Sequence, residues 1–169
     1  MIFNRPRDRS RESVEAAFEE ARMLGHDSLG DEDLLLGILC AGVGMGAEVL
    51  RSLGVTPAGA REEPEEMLSD ALTTIGVSLE GMRREAGDVF DMSIPSGRKI
   101  PYSPMAKNAL VRARREMKML GDGHLGTEHV LLGILANRDG TAIRLLARLG
   151  VASEALEDRL QELRGRAAG

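Results

Sequence analysis

Gly121-Asp122-Gly123-His124-Leu125-Gly126-Thr127-Glu128-His129-Val130-Leu131-Leu132-Gly133-Ile134-Leu135 reads as a turn followed by an apolar helix, and the chain carries the pattern twice. Met23-Leu24-Gly25 recurs as Met119-Leu120-Gly121, and Leu35-Leu36-Gly37-Ile38-Leu39 recurs as Leu131-Leu132-Gly133-Ile134-Leu135, both at an offset of 121 − 25 = 96. Held without gaps from Ser13 to Val55 against Ala109 to Val151, this register gives about 18 identities in roughly 43 positions, more than unrelated helices share. The unit is duplicated.

Each copy begins with a long helix, from about Arg9 to Leu24 and from about Pro104 to Leu120, closed by Gly25 and Gly121 in the left-handed conformation. Asp31 and Thr127 are expected as N-caps of the next helices, whose nearly continuous apolar positions predict central, buried elements. Glycine inside a helix costs about 1 kcal/mol against alanine, so Gly37 and Gly133 imply another helix packed close at those points. Third helices are expected from Ala47 to Leu53 and from Ala142 to Leu149, and fourth helices from Pro57 and Ser153. Between the copies, Thr74-Ile75-Gly76-Val77-Ser78 echoes Leu53-Gly54-Val55-Thr56, which predicts an extra helix from Ser69 to Ala86. Asp91 to Pro101, with Pro95-Ser96-Gly97 and Ile100-Pro101, reads as a linker. The expected divisions are 1–68, 69–101 and 102–169 within one compact domain.

Composition agrees with an all-α fold. Apolar residues at 43% and charged residues at 29% describe a globular chain, while one Tyr, three Phe and no Trp leave little of the usual β vocabulary. A net charge of −5 argues against a nucleic-acid partner, and the basic runs at Arg5 to Arg11 and Arg112 to Lys118 are interrupted or flanked by acidic residues. The N-terminal residues lack a signal-peptide core and no run has the length of a membrane span, so a cytoplasmic protein without membrane partners is expected. Cys40, the sole cysteine, lies in the apolar run Leu34 to Ala41 and is expected to be buried and unreactive.

Chemistry finds few residues to use. There is no phosphate loop, since Gly42, Gly44 and Gly46 have no preceding strand and no following lysine. His26, His124 and His129 do not form a zinc-binding His-Glu-x-x-His spacing, and the serines sit at cap or exposed helix positions rather than on a nucleophile turn. No catalytic residue, metal or cofactor is expected. Methionines including Met23, Met117 and Met119 are expected to fill a core poor in aromatics. Glu32 and Glu128 occupy matching places in the first turn of the central helices and leave two readings open. One is a carboxylate favoured by the helix dipole and copied by duplication; the other is a pair of acidic pockets for a guanidinium or ammonium group.

The stretch from Gly121 to Leu135 resembles the motif of Clp N-terminal repeats, which runs Leu-Gly-His, two residues, then Gly-Thr-Glu-His-Ile-Leu-Leu-Gly-Leu. Leu24-Gly25-His26 through Gly30-Asp31-Glu32-Asp33-Leu34-Leu35-Leu36-Gly37 is a looser copy, with Asp31 and Asp33 in place of Thr and His. With Pro95-Ser96-Gly97 and Ile100-Pro101-Tyr102-Ser103-Pro104, the resemblance covers nearly the whole chain. It implies two tandem four-helix Clp repeats related by a pseudo-twofold axis, here with an extra inserted helix, and a binding module without the ATPase rings of ClpA- and ClpC-type unfoldases.

The resemblance also implies ligands. Glu32 and Glu128 correspond to glutamates that hold the guanidinium of phosphoarginine, and the phosphate-binding threonines correspond to Ser103 in the second repeat and Arg7 in the first. Phe3, Tyr102 and Lys107 correspond to a surface that binds cyclic-peptide antibiotics. The expected partners are therefore proteins or peptides, including a Clp ATPase, an adaptor or a cyclic peptide. The expected role is recognition of substrates, adaptors or phosphoarginine-type marks, with an antibiotic-sequestering decoy as the alternative. Ser103 makes the second pocket the better candidate.

Overall fold

The computed structural model describes residues 6–62, 73–76 and 99–168. Helices α1 (Pro6–Met23), α2 (Asp31–Ala41) and α3 (Gly44–Ser52) form the first repeat, followed by helical residues 57–62. The second repeat comprises α4 (Pro104–Met119), α5 (Thr127–Leu135), α6 (Thr141–Arg148) and α7 (Ser153–Ala168). The described residues contain no strand beyond a single parallel bridge between Leu29 and Tyr102.

The glycines explain the closest contacts. A methyl group on Gly37 would meet the Ser13 carbonyl and the Ala17 backbone, and one on Gly133 would meet the Ala109 carbonyl and the Ala113 nitrogen. Ser13, Ala17 and Ala21 recur every four residues and so share one face of α1, which lies directly on α2. Ala109 and Ala113 bring α4 onto α5 in the same way. Gly25 and Gly121 close α1 and α4 with φ of 71° and 72°, a region that glycine enters without steric cost.

Helices α2 and α5 occupy the centre. Leu34, Leu35, Leu36 and Ile38 are buried on every side of α2, as are Val130, Leu131, Ile134 and Leu135 in α5, so neither helix keeps a solvated stripe. The repeats interlock around them, with α3 packing on α5 and α7 of the other repeat and α6 packing on α2. One continuous apolar cluster results, drawn from both copies.

Several expectations shift. The N-caps are Gly30 and Gly126, one residue before Asp31 and Thr127, which are instead the first helical residues. Their side chains bond across the repeat boundary. Asp31 Oδ2 accepts the Ala142 N–H at 3.1 Å, and Thr127 Oγ1 accepts the Gly46 N–H at 3.1 Å. Because 142 − 46 = 96, these are the same bond seen from either copy. Helix α3 starts at Gly44, three residues before the expected Ala47. Met23 and Met119 do not fill the core; they are 68% and 74% exposed beside Leu24 and Leu120 at the ends of α1 and α4.

The inserted helix expected from Ser69 to Ala86, the linker from Asp91 and the divisions at 69 and 101 lie almost wholly outside the described residues. Within 73–76, the Gly76 N–H donates to the Thr73 carbonyl at 3.0 Å with φ of 77°, matching the junctions at Gly54 and Gly150. Among the described residues no single helix is long and apolar enough to cross a membrane. The pair α2 and α3 passes that length test only together, across a 92° bend.

Candidate functional site

Each repeat presents its motif glutamate at the start of its central helix. Gly30 and Gly126 hold extended cap conformations, and the third helical residue reaches back to each: Asp33 Oδ2 accepts the Gly30 N–H and His129 Nδ1 accepts the Gly126 N–H, both at 2.8 Å. The Glu32 and Glu128 carboxylates fold over these two glycines, where a β-carbon would collide with them. Glycine thus makes the room that each carboxylate occupies.

Beside each glutamate lies one histidine–aspartate pair, with the partners exchanged. In the first repeat His26 Nδ1 bonds Asp33 Oδ1 at 2.9 Å, and in the second His129 Nε2 bonds Asp122 Oδ2 at 2.8 Å. Since 122 − 26 and 129 − 33 both equal 96, histidine and aspartate have traded positions. The exchange alters the charge around the glutamates. His129 Nδ1 already accepts the Gly126 N–H, so the ring proton sits on Nε2. The Glu128 carboxylate, 3.7 Å from Nδ1, gains no cation there.

The two sites differ in ionisation. Burial, with Asp33 and Asp31 adding negative charge nearby, pushes Glu32 up to about 7. His26 is raised by its bond to Asp33. In the second repeat the Arg164 guanidinium, 2.8 Å from Asp122 Oδ2, holds Asp122 below the usual carboxylate range, with His129 helping. A cavity of about 450 Å3 opens here, lined among others by Glu128, His124, Asp122, Arg164 and Met45. It combines one carboxylate not committed to a cation with an arginine and a histidine.

Ser103 caps α4 by accepting the Ala106 N–H at 3.1 Å, while its own N–H donates to the Leu29 carbonyl at 2.9 Å. It therefore stands beside the first repeat's loop, next to Gly30, and is absent from the lining of the Glu128 cavity. Arg7 lies in the first turn of α1, and Phe3 falls outside the described residues. Tyr102 is half-buried, edge-on to Phe18 of α1 with ring centroids 5.3 Å apart, and Lys107 is exposed one turn into α4.

His26, Glu32 and Asp33 bring donor atoms within 4.8 Å of one another, close enough to share a cation, although Asp33 already serves His26 and the Gly30 amide. The sequence reading passed over Asp122, His124 and Arg164 as site residues. Asp122 was detectable as the exchanged partner of His26; Arg164 was not, because α7 reaches the cavity only through tertiary packing.

The Clp repeat (R) N-terminal domain family matches residues 5–71, 62–149 and 101–168. The chain is 34% identical over 150 residues to an ATP-dependent Clp protease ATP-binding subunit ClpA homolog of Cyanidium caldarium, covering 89% of this chain and 15% of that protein. It is 33% identical over 149 residues to the chloroplastic chaperone protein ClpC of Pisum sativum, covering 88% and 14%. The chain thus spans only about one seventh of the length of these relatives. Among solved structures, the N-terminal domain of the chaperone ClpD from Arabidopsis thaliana superposes with a TM-score of 0.68 at 22% identity, covering 95% of this chain and 98% of that one. The Hsp104 N-terminal domain from Candida albicans gives a TM-score of 0.63 at 14% identity, covering 94% and 90%. With its two tandem helical repeats, the chain belongs to the Clp repeat N-terminal domain family.

Proposed function

We propose that this domain is a binding module that captures protein or peptide partners carrying a phosphoarginine-type mark, with Glu128 receiving the guanidinium. The observation that carries this reading is the cavity in which Glu128, Arg164 and His124 meet. A phosphoarginine side chain needs an acceptor for its guanidinium and cationic donors for its phosphate, and these residues supply both. Arg164 shares its charge with Asp122, which tempers the attraction for phosphate. The cavity supports the second repeat on grounds that do not involve Ser103, whose hydroxyl caps α4 and whose N–H bonds the first repeat's loop. Calorimetry with a phosphoarginine peptide tests the proposal: saturable heat is expected from the intact protein, and its absence would contradict it.

The second reading, a decoy that takes up cyclic peptides, is favoured by the half-buried Tyr102 ring and the exposed Lys107 at one end of α4. In the same calorimetry, loss of cyclic-peptide binding in Tyr102→Ala supports it, and unchanged binding removes it.

A further inference from the structure

The duplication exposes a second hollow, away from Glu128's carboxylate. In the first repeat, Glu20 of α1 is buried and its carboxylate is clamped by Arg61, Nε at 2.8 Å and Nη2 at 2.6 Å, while the Cys40 thiol donates to it at 3.2 Å. Arg61 holds Glu20 below its ordinary range, and burial raises the thiol to about 11, so the group is a fixed ion pair and not a reactive centre. An internal guanidinium fills this corner of the first repeat.

At the same offset in the second repeat, Glu20 corresponds to Glu116 (116 − 20 = 96), Cys40 to Ala136 (136 − 40 = 96) and Arg61 to Glu157 (157 − 61 = 96). The carboxylate is retained and the plug is gone. A cavity of about 480 Å3 takes its place, walled by Glu116, Leu120, Leu132, Arg138, Glu157 and Leu160. Arg138 is occupied by Glu157 at 3.2 Å and Glu154 at 3.7 Å, and Arg164, which also reaches this wall, is occupied by Asp122. The Glu116 carboxylate has no hydrogen-bond or ion-pair partner among the described residues.

We propose that this cavity receives an unmodified arginine side chain from a protein or peptide partner, its guanidinium on Glu116 as Arg61 sits on Glu20 and its methylenes against Leu120, Leu132 and Leu160. Arginine fits better than lysine because a planar fork grips a carboxylate at two points. The site is independent of the reading of Glu128, where the ligand carries phosphate.

The test is amide NMR on the full chain titrated with N-acetyl-L-argininamide and, as the uncharged isostere, N-acetyl-L-citrullinamide. Saturable shifts are expected around Glu116, Ala136 and Leu160 with the arginine probe alone, weakened about tenfold or more by Glu116→Gln. Glu157→Arg transplants the first repeat's plug and is expected to abolish these shifts in a folded chain. Absence of saturable shifts, equal response to the citrulline probe, undiminished binding in Glu157→Arg, or shifts confined to the neighbourhoods of Glu32 and Glu128 would each overturn the proposal.

Discussion

The two repeats share a scaffold but not a surface. Gly37 and Gly133 seat their helices alike, and Asp31 and Thr127 make the same bond across the boundary. Around the motif glutamates the copies diverge: the first surrounds Glu32 with Asp31, Asp33 and His26, and the second gives Glu128 a cavity shared with Arg164 and His124. The contrast lies in what each contact tolerates. Only glycine lets the helix backbones meet at Gly37 and Gly133, whereas histidine and aspartate can trade places and still complete the pair beside each glutamate.

The largest effect expected from this comparison falls on the shared scaffold. Gly37→Ala and Gly133→Ala each force a methyl group into facing backbone, which cannot yield as a flexible side chain would. Each should cost at least about 1–3 kcal/mol in denaturant unfolding, to a similar extent in both copies. A large loss in one and none in the other would show that the helix pairs are not equivalent.

The cross-repeat bonds should come next, with a difference between them. Asp31→Ala removes a carboxylate acceptor from the buried Ala142 N–H and should cost about 1.5–3 kcal/mol, while Thr127→Ala removes a neutral acceptor and should cost about 1 kcal/mol. Equal losses would remove the distinction between a charged and a neutral bond.

A smaller effect should appear with pH, chiefly in the first repeat. Glu32 has its folded value raised from 4.5 to about 7, so folding favours its neutral form, and that contribution fades as pH rises through about 7. His26 is raised above 6.5, so its contribution is complete below 6.5 and is likewise lost as pH rises through its folded value. Asp122 is lowered below 3.8, so its contribution persists above 3.8 and is lost only as pH falls through its folded value. Hydrogen exchange, corrected for intrinsic rates, should show protection at the start of α2 falling between about pH 5 and about pH 8 while the start of α5 holds steady. Parallel behaviour at the two helix starts would contradict the assigned asymmetry.

Much of the scaffold was legible in the sequence because the offset of 96 aligned helix, turn and glycine at once. The interlock of α3 with α5 was not, since a repeat register states which residues correspond and not which ones touch. Asp31 and Thr127 were misjudged for a related reason: their side chains suit capping, yet each is spent on the other repeat's backbone while glycine takes the cap. Glu32 and Glu128 stood out by their symmetry, and the structure folds each carboxylate over its cap glycine. The pairing of Ser103 with Glu128 assumed that neighbours in one repeat share a pocket, and the backbone bond from Ser103 to Leu29 places the residue across the boundary instead.

The central claim, that binding resides in the second repeat, is tested most directly by calorimetry of a phosphoarginine peptide against the intact chain, Glu128→Ala and Glu32→Ala near pH 6.5. Below about 7 the Glu32 carboxyl is largely protonated and offers a guanidinium little charge. The account expects Glu128→Ala to weaken binding about tenfold or more, with Glu32→Ala close to the intact chain. Loss of binding in Glu32→Ala with Glu128→Ala unaffected would contradict it.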